Sequence, residues 1–227
     1  MFRQISNNNE ISIFWSFTQV VNSVIVEFIL KIYNRNSGVV SHMIGILEHI
    51  NLFYNFMERS TDMYKVGILT SSDKGAAGQR EDKGGPKIQE IIEKFPTHFK
   101  VTKYIILPDE KDKLAAAMTE MVDSDKIDLI ITTGGTGFSK RDVTPEATLS
   151  VIERRTPGIP EAMRSISLAI TMRAMLSRAE AGIRGNSLII NLPGSPKAIE
   201  EVLAPILPSI SHGLDILQAK DAECART

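Results

Sequence analysis

The sequence predicts an α/β domain of three layers, with a mainly parallel sheet between helices on both of its faces. Two observations predict this fold class. From Tyr64 onward, short apolar runs alternate with longer segments of helical periodicity, which is the pattern of successive βα units. Residues 129–131 are apolar at every position, as in strands buried on both faces, and they lead into a glycine-rich turn. The 227 residues suffice for one such core and require no second domain.

The predicted elements follow one another from residue 65. Apolar runs predict four main strands, at 65–70, 101–107, 127–133 and 188–191. After the first strand we expect a long polar loop at 71–85 and a helix from Pro86, with Ile88, Ile91 and Ile92 on one face. Further helices are expected at 111–122, 144–154, 160–176 and 196–218, the last of them broken near Pro205 and Pro208.

Residues 1–62 differ in composition from the rest of the chain. Residues 11–32 are its most apolar stretch and approach the length of a membrane span, but three polar side chains interrupt them: Gln19, Asn22 and Glu27. Three interpretations stay open: a mispredicted start, with the true beginning at Met57 or Met63; an expressed packing or interfacial helix; and a membrane anchor. Membrane contact is expected only if residues 11–32 are expressed and inserted. The predicted organisation is an N-terminal extension at 1–62, one domain at 63–219 and a C-terminal tail at 220–227.

Charge and cysteine content exclude several classes of protein. The net charge is −1, from 26 basic and 27 acidic residues, which argues against a nucleic-acid-binding surface. The single cysteine, Cys224, rules out an intrachain disulfide framework. The four histidines do not have the spacing of zinc ligands. These observations fit a cytoplasmic enzyme and, equally, any other cytoplasmic protein.

The most informative stretch is DLIITTGGTGFSKRDVTPEA at 128–147. Its glycine loop consists of Gly134, Gly135, Thr136 and Gly137. Three glycines in four residues let backbone N–H groups approach an anion with no Cβ in the way. Arg141 and Asp142 follow, ahead of a helix start at which Thr144 is the expected N-cap. This combination predicts a site for phosphates and a metal ion. For the glycine loop taken alone, a tight strand-to-helix turn without a ligand is the alternative.

Other loops are expected at the same edge of the sheet, because ligands of parallel sheets bind beyond the carboxyl ends of the strands. Ser72 and Asp73 follow the first strand, and Asp109 follows the second. For Asp82, in the long first loop, a ligand contact and a solvated position are equally expected. The loop after the last strand adds four residues at a second anion-facing turn: Asn191, Pro193, Gly194 and Ser195.

The 128–147 string resembles the Mog/MoaB family of molybdenum-cofactor biosynthesis proteins. The resemblance extends from Met63 to Gln218, and three further motifs occur in the family's order: TSSDKGAAGQREDKGGP at 70–86, LPDE at 107–110 and GIRGNSLIINLPGSPKAIEEVL at 182–203. Within the family, the chain looks closer to Mog, the molybdopterin adenylyltransferase branch, than to MoaB. Lys74 stands where the family often has Arg, and Gly85 where it often has Ser, so substrate contacts in that loop are expected to differ.

The resemblance implies a molybdopterin-binding-like fold and an enzyme that transfers an adenylyl group from ATP to molybdopterin with Mg²⁺, releasing pyrophosphate. It implies that Asp109 and Asp142 are catalytic and organise the metal ion. The remaining candidates would bind substrate or nucleotide: Ser72, Asp73, Gly134, Gly135, Thr136, Gly137, Arg141, Asn191, Pro193, Gly194 and Ser195. It further implies a homotrimer in the cytoplasm and a hand-off of the product to a molybdenum insertase.

Less specific explanations stay open beside these. For Asp142 the alternative is a pair with Arg141 or support of the helix N-terminus. For Asp109 it is capping of the helix at 111–122, and for Ser195 an ordinary N-cap before Pro196. The alternative functions are a non-catalytic MoaB-like molybdopterin-binding or scaffold protein, and a nucleotide-processing enzyme with another substrate.

Overall fold

A computed structural model describes residues 63–95 and 98–219. The predicted extension at 1–62 and the predicted tail at 220–227 lie outside the described residues. The three interpretations of the N-terminal segment and the domain boundaries therefore stay predictions. Within the described ranges, no helix combines the length and the apolar character that crossing a bilayer requires.

The described residues form the predicted alternation of strands and helices. The strands are β1 (Tyr64–Ser71), β2 (Phe99–Leu107), β3 (Leu129–Thr133), β4 (Arg154–Arg155), β5 (Ala181–Arg184) and β6 (Ser187–Leu192). The α-helices are α1 (Asp73–Ala76), α2 (Gly84–Glu93), α3 (Lys111–Asp123), α4 (Thr144–Val151), α5 (Gly158–Leu168) and α6 (Pro196–Leu217), and a 3-10 helix spans Met172–Leu176.

The strands of the described part of the chain form one sheet in the order β2-β1-β3-β6-β5-β4. The first four strands in this order, β2, β1, β3 and β6, are mutually parallel. Strand β5 pairs antiparallel with β6, and β4 pairs antiparallel with β5. The predicted mainly parallel sheet is thus confirmed. The register brings the carboxyl ends of the central strands to one edge, because Thr133 pairs with Thr70 on one side and with Leu192 on the other.

Consecutive residues of the central strands face opposite sides of the sheet, and both sides are covered. Ile68 and Ile131 belong to a core with α2, α5 and α6, whereas Leu69 and Ile130 belong to a core with α3 and α4. All four side chains are fully buried. Burying an apolar side chain of this size contributes roughly 1.5–3 kcal/mol. Burial on both faces explains the continuous apolar runs and confirms the three layers.

Helix α6 continues through Pro205 and Pro208, so the predicted break is wrong. A proline inside a helix removes a hydrogen bond and costs about 3 kcal/mol. Apolar residues on both sides of the prolines, including Leu203, Leu207 and Ile210, pack into the same core and offset this cost. Both prolines are exposed, so water can reach the backbone carbonyl groups that lose a donor.

Other elements differ from the predictions at their ends. The helix expected at 160–176 is α5 followed by the separate 3-10 helix, because Thr171 accepts a hydrogen bond from Arg173 N and starts a new turn. The helix predicted at 144–154 ends at Val151, because Arg154 and Arg155 form strand β4 and pair with β5. The polar loop expected at 71–85 contains α1, and α2 begins at Gly84 instead of Pro86.

Candidate active site

A cavity of about 530 Å³ opens at the carboxyl edge of the parallel strands. Its wall is built from the ends of β1 and β3, the long loop after β1, and the loops that precede α3, α4 and α6. Six of the residues predicted from the sequence line it: Ser72, Asp109, Gly134, Gly135, Asp142 and Gly194. The predicted convergence of several loops at one edge of the sheet is therefore present.

The glycine loop turns sharply after β3 because two of its residues have a left-handed backbone. The φ angles are 89° at Gly134 and 62° at Gly135, where only glycine is free of strain. A Cβ on Gly134 would lie 2.4 Å from the carbonyl oxygen of Ser71, and one on Gly135 would lie 2.4 Å from Thr144 Oγ1. Both the backbone angles and the available space therefore require glycine.

Two hydrogen bonds from Thr144 hold the glycine loop against the start of α4. Its hydroxyl donates to the carbonyl oxygen of Gly134 at 2.9 Å, and its backbone N–H donates to that of Gly135 at 3.1 Å. The N-cap position of α4 is Val143, whose apolar side chain makes no capping hydrogen bond. The expectation that Thr144 is the N-cap is wrong, because its hydroxyl is used by the loop.

Asp109 is held at the cavity wall by the end of β1. Ser71 Oγ donates to Asp109 Oδ1 at 2.5 Å, and the backbone N–H of Asp73 donates to Oδ2 at 2.9 Å. The N-cap position of α3 is Glu110, without a side-chain cap. Asp109 thus does not cap α3, and its carboxylate is oriented by groups from another strand.

Asp142 closes the loop at 137–142. Its Oδ2 accepts from the backbone N–H of Ser139 at 2.9 Å, and its own N–H donates to Ser139 O at 2.9 Å. A Cβ on Gly137 would lie 2.8 Å from Asp142 Oδ2, so the carboxylate lies against the glycine loop. Within the described residues, no hydrogen bond or ion pair engages Oδ1, which leaves it accessible to a ligand.

Arg141 pairs with Asp73 and not with Asp142. Arg141 Nε lies 3.0 Å from Asp73 Oδ2, and Nη2 lies 2.6 Å from Oδ1. The hydrogen bond from Arg141 is the main cause that lowers the pKa of Asp73. This ion pair is exposed and joins the loop after β1 to the 137–142 loop beside the cavity.

Asp82 lines the cavity and has a carboxylate saturated with donors. It accepts from Thr70 Oγ1 at 2.6 Å, from the backbone N–H groups of Gly84 at 2.8 Å and Gly85 at 3.2 Å, and from the hydroxyl of Tyr104. Burial opposes its charged form, but these hydrogen bonds outweigh burial and lower the pKa of Asp82. Burial and the contact with Asp82 raise the pKa of Tyr104 to about 12. Asp82 thereby fixes the start of α2 at the cavity.

Tyr104 occupies the space that a side chain at position 85 would need. A Cβ on Gly85 would lie 2.5 Å from Tyr104 Cε2 and 2.7 Å from Asp82 Oδ2. The phenol group also brings a hydroxyl to Asp82 from the neighbouring strand β2. The glycine at position 85, where the resembling family often has serine, and Tyr104 are therefore sterically matched.

Two exposed cations lie at the rim of the cavity. Arg80 and Lys83 both contribute to the wall, and no ion pair within residues 63–95 and 98–219 engages either of them. They stand on the loop between α1 and α2, and Asp109 and Asp142 stand on the loops after β2 and β3. The cavity thus combines positive and negative groups, as a site for a phosphate chain and a metal ion requires.

Asn191 does not line the cavity, contrary to the sequence prediction. It is fully buried, and its Nδ2 donates to Thr132 Oγ1 at 3.0 Å and to Thr148 Oγ1 at 2.8 Å. Its Oδ1 accepts from the backbone N–H of Glu180 at 3.2 Å. The side chain therefore joins β6 to β3 and α4, because a strand position next to a loop still alternates between the two faces.

The remaining predicted residues surround the cavity without lining it: Asp73, Thr136, Gly137, Arg141, Pro193 and Ser195. Ser195 is the N-cap residue of α6, without a side-chain cap bond, and Pro196 at the first turn lines the cavity. The carbonyl oxygen of Pro193 accepts from Thr133 Oγ1 at 2.8 Å, which joins this loop to the end of β3.

Sequence reasoning placed Ser71 at this edge of the sheet, in one motif with Ser72 and Asp73, but did not select it as a site residue. It missed Thr70, which lines the cavity, and Arg178, which contacts the glycine loop. Thr70 and Ser71 could have been selected from their position at the end of the first strand, since Ser72 was selected for that reason. No motif marked Arg178, because it follows the 3-10 helix and its contacts lie 32 to 41 positions away along the chain.

The donors at the cavity fit Mg²⁺. Asp109 and Asp142 bring two carboxylates to the cavity beside the glycine loop. No group of three or more acidic, histidine or cysteine side chains within the described ranges is arranged to hold a metal ion. Two carboxylates suit Mg²⁺, which commonly binds through one or two carboxylates and completes its shell with phosphates and water.

Residues 67–212 match the sequence family described as "probable molybdopterin binding domain". The chain belongs to this family. Its molybdopterin binding domain includes the glycine loop, Asp109, Asp142 and Asp82. The predicted family and fold class are thus confirmed.

Curated relatives of this molybdopterin binding domain carry a functional name. The molybdopterin adenylyltransferase of Helicobacter pylori is 43% identical over 152 residues, which are 67% of this chain and 86% of that protein. The molybdopterin adenylyltransferase of Escherichia coli is 43% identical over 155 residues, or 66% of this chain and 79% of that protein. Among solved structures, the molybdopterin biosynthesis enzyme MoaB of Thermus thermophilus is 44% identical and has a TM-score of 0.65, covering 69% of this chain and 98% of that chain. Names of both branches therefore occur among the similar proteins.

Proposed function

We propose that this protein is a molybdopterin adenylyltransferase of molybdenum cofactor biosynthesis. One observation carries the proposal: Asp109 and Asp142 line one cavity beside a glycine loop, in a chain 43% identical to enzymes of that name. In the proposed reaction, a phosphate oxygen of molybdopterin attacks the α-phosphorus of ATP. The bond from that phosphorus to the bridging oxygen breaks, and pyrophosphate leaves with the electron pair. The product is adenylyl-molybdopterin.

The wall of the cavity can assist this transfer by positioning and by electrostatics, which contribute most of the catalysis of phosphoryl-type transfers. The backbone N–H groups at Gly134 and Gly135 are the proposed donors to phosphate oxygens. Arg80 and Lys83 at the rim are the proposed counter-charges for the leaving pyrophosphate. Both carboxylates would repel a phosphate chain, and a cation between them and the substrate would remove that repulsion.

Asp109 and Asp142 are the proposed ligands of that cation, Mg²⁺. When bound, it would neutralise charge on the phosphates. Ser71 and the backbone N–H of Asp73 hold the carboxylate of Asp109 in place, and Ser139 N–H holds that of Asp142. Both carboxylates are therefore oriented before substrate arrives.

Pyrophosphate release by the purified full-length chain tests the proposal. With molybdopterin and Mg-ATP we expect release that stops when either molybdopterin or Mg²⁺ is omitted. A folded protein that binds molybdopterin and releases no pyrophosphate would contradict the enzyme and support the non-catalytic MoaB-like alternative. Release with ATP and no pterin would support the nucleotide-processing alternative. The same assay on residues 63–227 tests whether the extension at 1–62 is dispensable for the chemistry.

The proposal includes the homotrimer that the family resemblance implies, in the cytoplasm, with hand-off of the product to a molybdenum insertase. An apolar patch supports self-association. It consists of five side chains at the end of α5 and in the 3-10 helix, each between 39% and 67% exposed: Leu168, Ile170, Met172, Met175 and Leu176. Contiguous exposed apolar side chains of this kind commonly mark an interface.

Charges in the apolar patch should dissociate the trimer. We expect the double variant Met172→Glu with Met175→Glu to elute as a monomer, because burying two unpaired carboxylates in an interface is costly. Light scattering coupled to size-exclusion chromatography measures this. Leu149→Glu, which changes a 40% exposed leucine on α4, is the matched control and should remain trimeric. A wild-type protein that is monomeric at micromolar concentration would contradict the proposed assembly.

A further inference from the structure

Arg178 joins both ends of the 137–142 loop. Its Nε donates to the carbonyl oxygen of Gly137 at 2.7 Å, and its Nη2 donates to that of Asp142 at 2.5 Å. The backbone N–H of Arg178 also donates to Thr136 O at 3.0 Å. One side chain thus determines the separation between the first and the last residue of the loop that carries Asp142.

The third nitrogen of the guanidinium group connects the loop to α4. Arg178 Nη1 pairs with Glu146 Oε1 in the first turn of that helix. Burial opposes ionisation of Glu146, but the hydrogen bond and charge of Arg178 outweigh it, so the net effect lowers the pKa of Glu146. Among the described residues, Glu146 Oε2 is buried without a hydrogen-bond partner, and Arg178 forms the ion pair with this carboxylate.

The segment that carries Arg178 is itself anchored. Arg164 on α5 donates from Nη1 to the carbonyl oxygen of Ala179 at 3.2 Å. On the other side, the backbone N–H of Glu180 donates to Asn191 Oδ1 at 3.2 Å. Arg178 is therefore presented to the loop from a fixed backbone.

We infer that Arg178 is a positioning residue for Asp142, acting through the loop backbone and without touching substrate. The inference rests on the proposed function, in which Asp142 is a metal ligand. Arg178 does not line the cavity, whereas Asp142 does. The planar guanidinium fork reaches two carbonyl groups and a carboxylate at once, and the single ammonium group of lysine cannot reproduce that geometry. A displacement of about 1 Å at a reacting centre costs roughly 10²-fold in rate.

The variants Arg178→Lys and Arg178→Ala test the inference in the full chain. We expect kcat to fall about 10²-fold in both, with each KM changed less than threefold, because substrate-binding groups stay in place. Added methylguanidinium should restore part of the kcat of Arg178→Ala and none of that of Arg178→Lys. The control is Arg184→Ala, which removes a guanidinium bound to Asp123 at 2.6 Å and to Val151 O at 3.1 Å, outside the cavity. Its kcat should be unchanged.

Amide hydrogen exchange gives a second readout that does not need turnover. Arg178→Lys should speed exchange at Ser139 and Asp142, whose N–H groups bond within the loop, and Arg184→Ala should not. Unchanged exchange at both amides, or a kcat loss no larger than that of Arg184→Ala, would overturn the positioning role. If the wild-type chain releases no pyrophosphate, the proposed function fails, and the exchange data still decide whether Arg178 orders the loop.

Discussion

Asp109→Asn and Asp142→Asn should each lower kcat for adenylyl transfer by about 10²–10³-fold, which is the cost of removing one preorganised electrostatic group from an active site. An amide has nearly the shape of the carboxylate. In Asp109→Asn its oxygen can accept from the backbone N–H of Asp73 while its NH2 group donates to Ser71 Oγ, and in Asp142→Asn its oxygen can accept from Ser139 N–H. The loss should therefore arise from the missing negative charge that attracts Mg²⁺. Steady-state pyrophosphate release across a range of Mg²⁺ concentrations measures it.

A matched control distinguishes the loss of a carboxylate at the cavity from the loss of a carboxylate elsewhere on the surface. Asp112 lies three positions after Asp109, in the exposed first turn of α3, and does not line the cavity. Asp112→Asn should keep wild-type turnover. Thermal unfolding of all three variants should stay close to that of the wild type. Near-normal turnover in both Asp109→Asn and Asp142→Asn would remove the catalytic and metal-binding assignment.

Gly134→Ala should have the largest effect on stability among the glycine substitutions, with a loss of about 1–3 kcal/mol in the free energy of unfolding. Two causes act together. The φ angle of 89° is strained for alanine, and the new Cβ would meet the backbone carbonyl oxygen of Ser71 at 2.4 Å. The carbonyl group of Ser71 belongs to the backbone and cannot rotate away as a flexible side chain could, so the end of β1 must move. Because Ser71 also orients Asp109, turnover should fall as well.

Gly213→Ala is the control, for which we expect a change of opposite sign in the free energy of unfolding. Gly213 lies inside α6, and a Cβ there would have no atom of the described residues within 4 Å, apart from its chain neighbours and the backbone of its own helix. Alanine in a helix is favoured over glycine by about 0.8–1 kcal/mol, so this variant should be more stable than the wild type. Urea denaturation of both variants measures the two free energies of unfolding. Equal stability of Gly134→Ala and the wild type would show that the loop backbone can adopt another conformation.

The central strands and their helices were predictable because burial on two faces leaves a local pattern. Residues 129–131 are apolar throughout since α3 and α4 cover one face and α2, α5 and α6 the other. The antiparallel strands β5 and β4 were not predicted, because they span only four and two residues. Strands that short have no periodicity of their own, and pairing with β6 and with each other forms them.

The continuous path of α6 could not be predicted for a related reason. Local propensity disfavours Pro205 and Pro208 within a helix, and sequence alone records only that cost. The compensation comes from the core residues of α6, which contact β-strands and helices distant in the chain. No local sequence pattern indicates packing energy between segments that are distant in the chain.

For the site, position at the ends of strands and the family resemblance together predicted Asp109, Asp142 and the glycine loop. Both aspartates and the first two loop glycines, Gly134 and Gly135, line the cavity. The same reasoning also predicted Asn191 for the site, and its side chain does not line the cavity. Asn191 shares a face of β6 with Ile189, which packs in the core of α3 and α4, so its side chain faces that core. Proximity along the chain did not reveal the direction of the side chain.

By itself, then, the sequence determined the fold class, the family, and the strand ends at which polar residues and glycines gather. These features depend on hydrophobic periodicity and on motifs within about twenty residues, so they can be recognised from the sequence alone. Only the tertiary structure decided that Asp82 is saturated by Thr70 and Tyr104, and that Arg178 joins the ends of the Asp142 loop. Hydrogen bonds of side chains between distant segments depend on how the segments pack, and no local pattern specifies that packing.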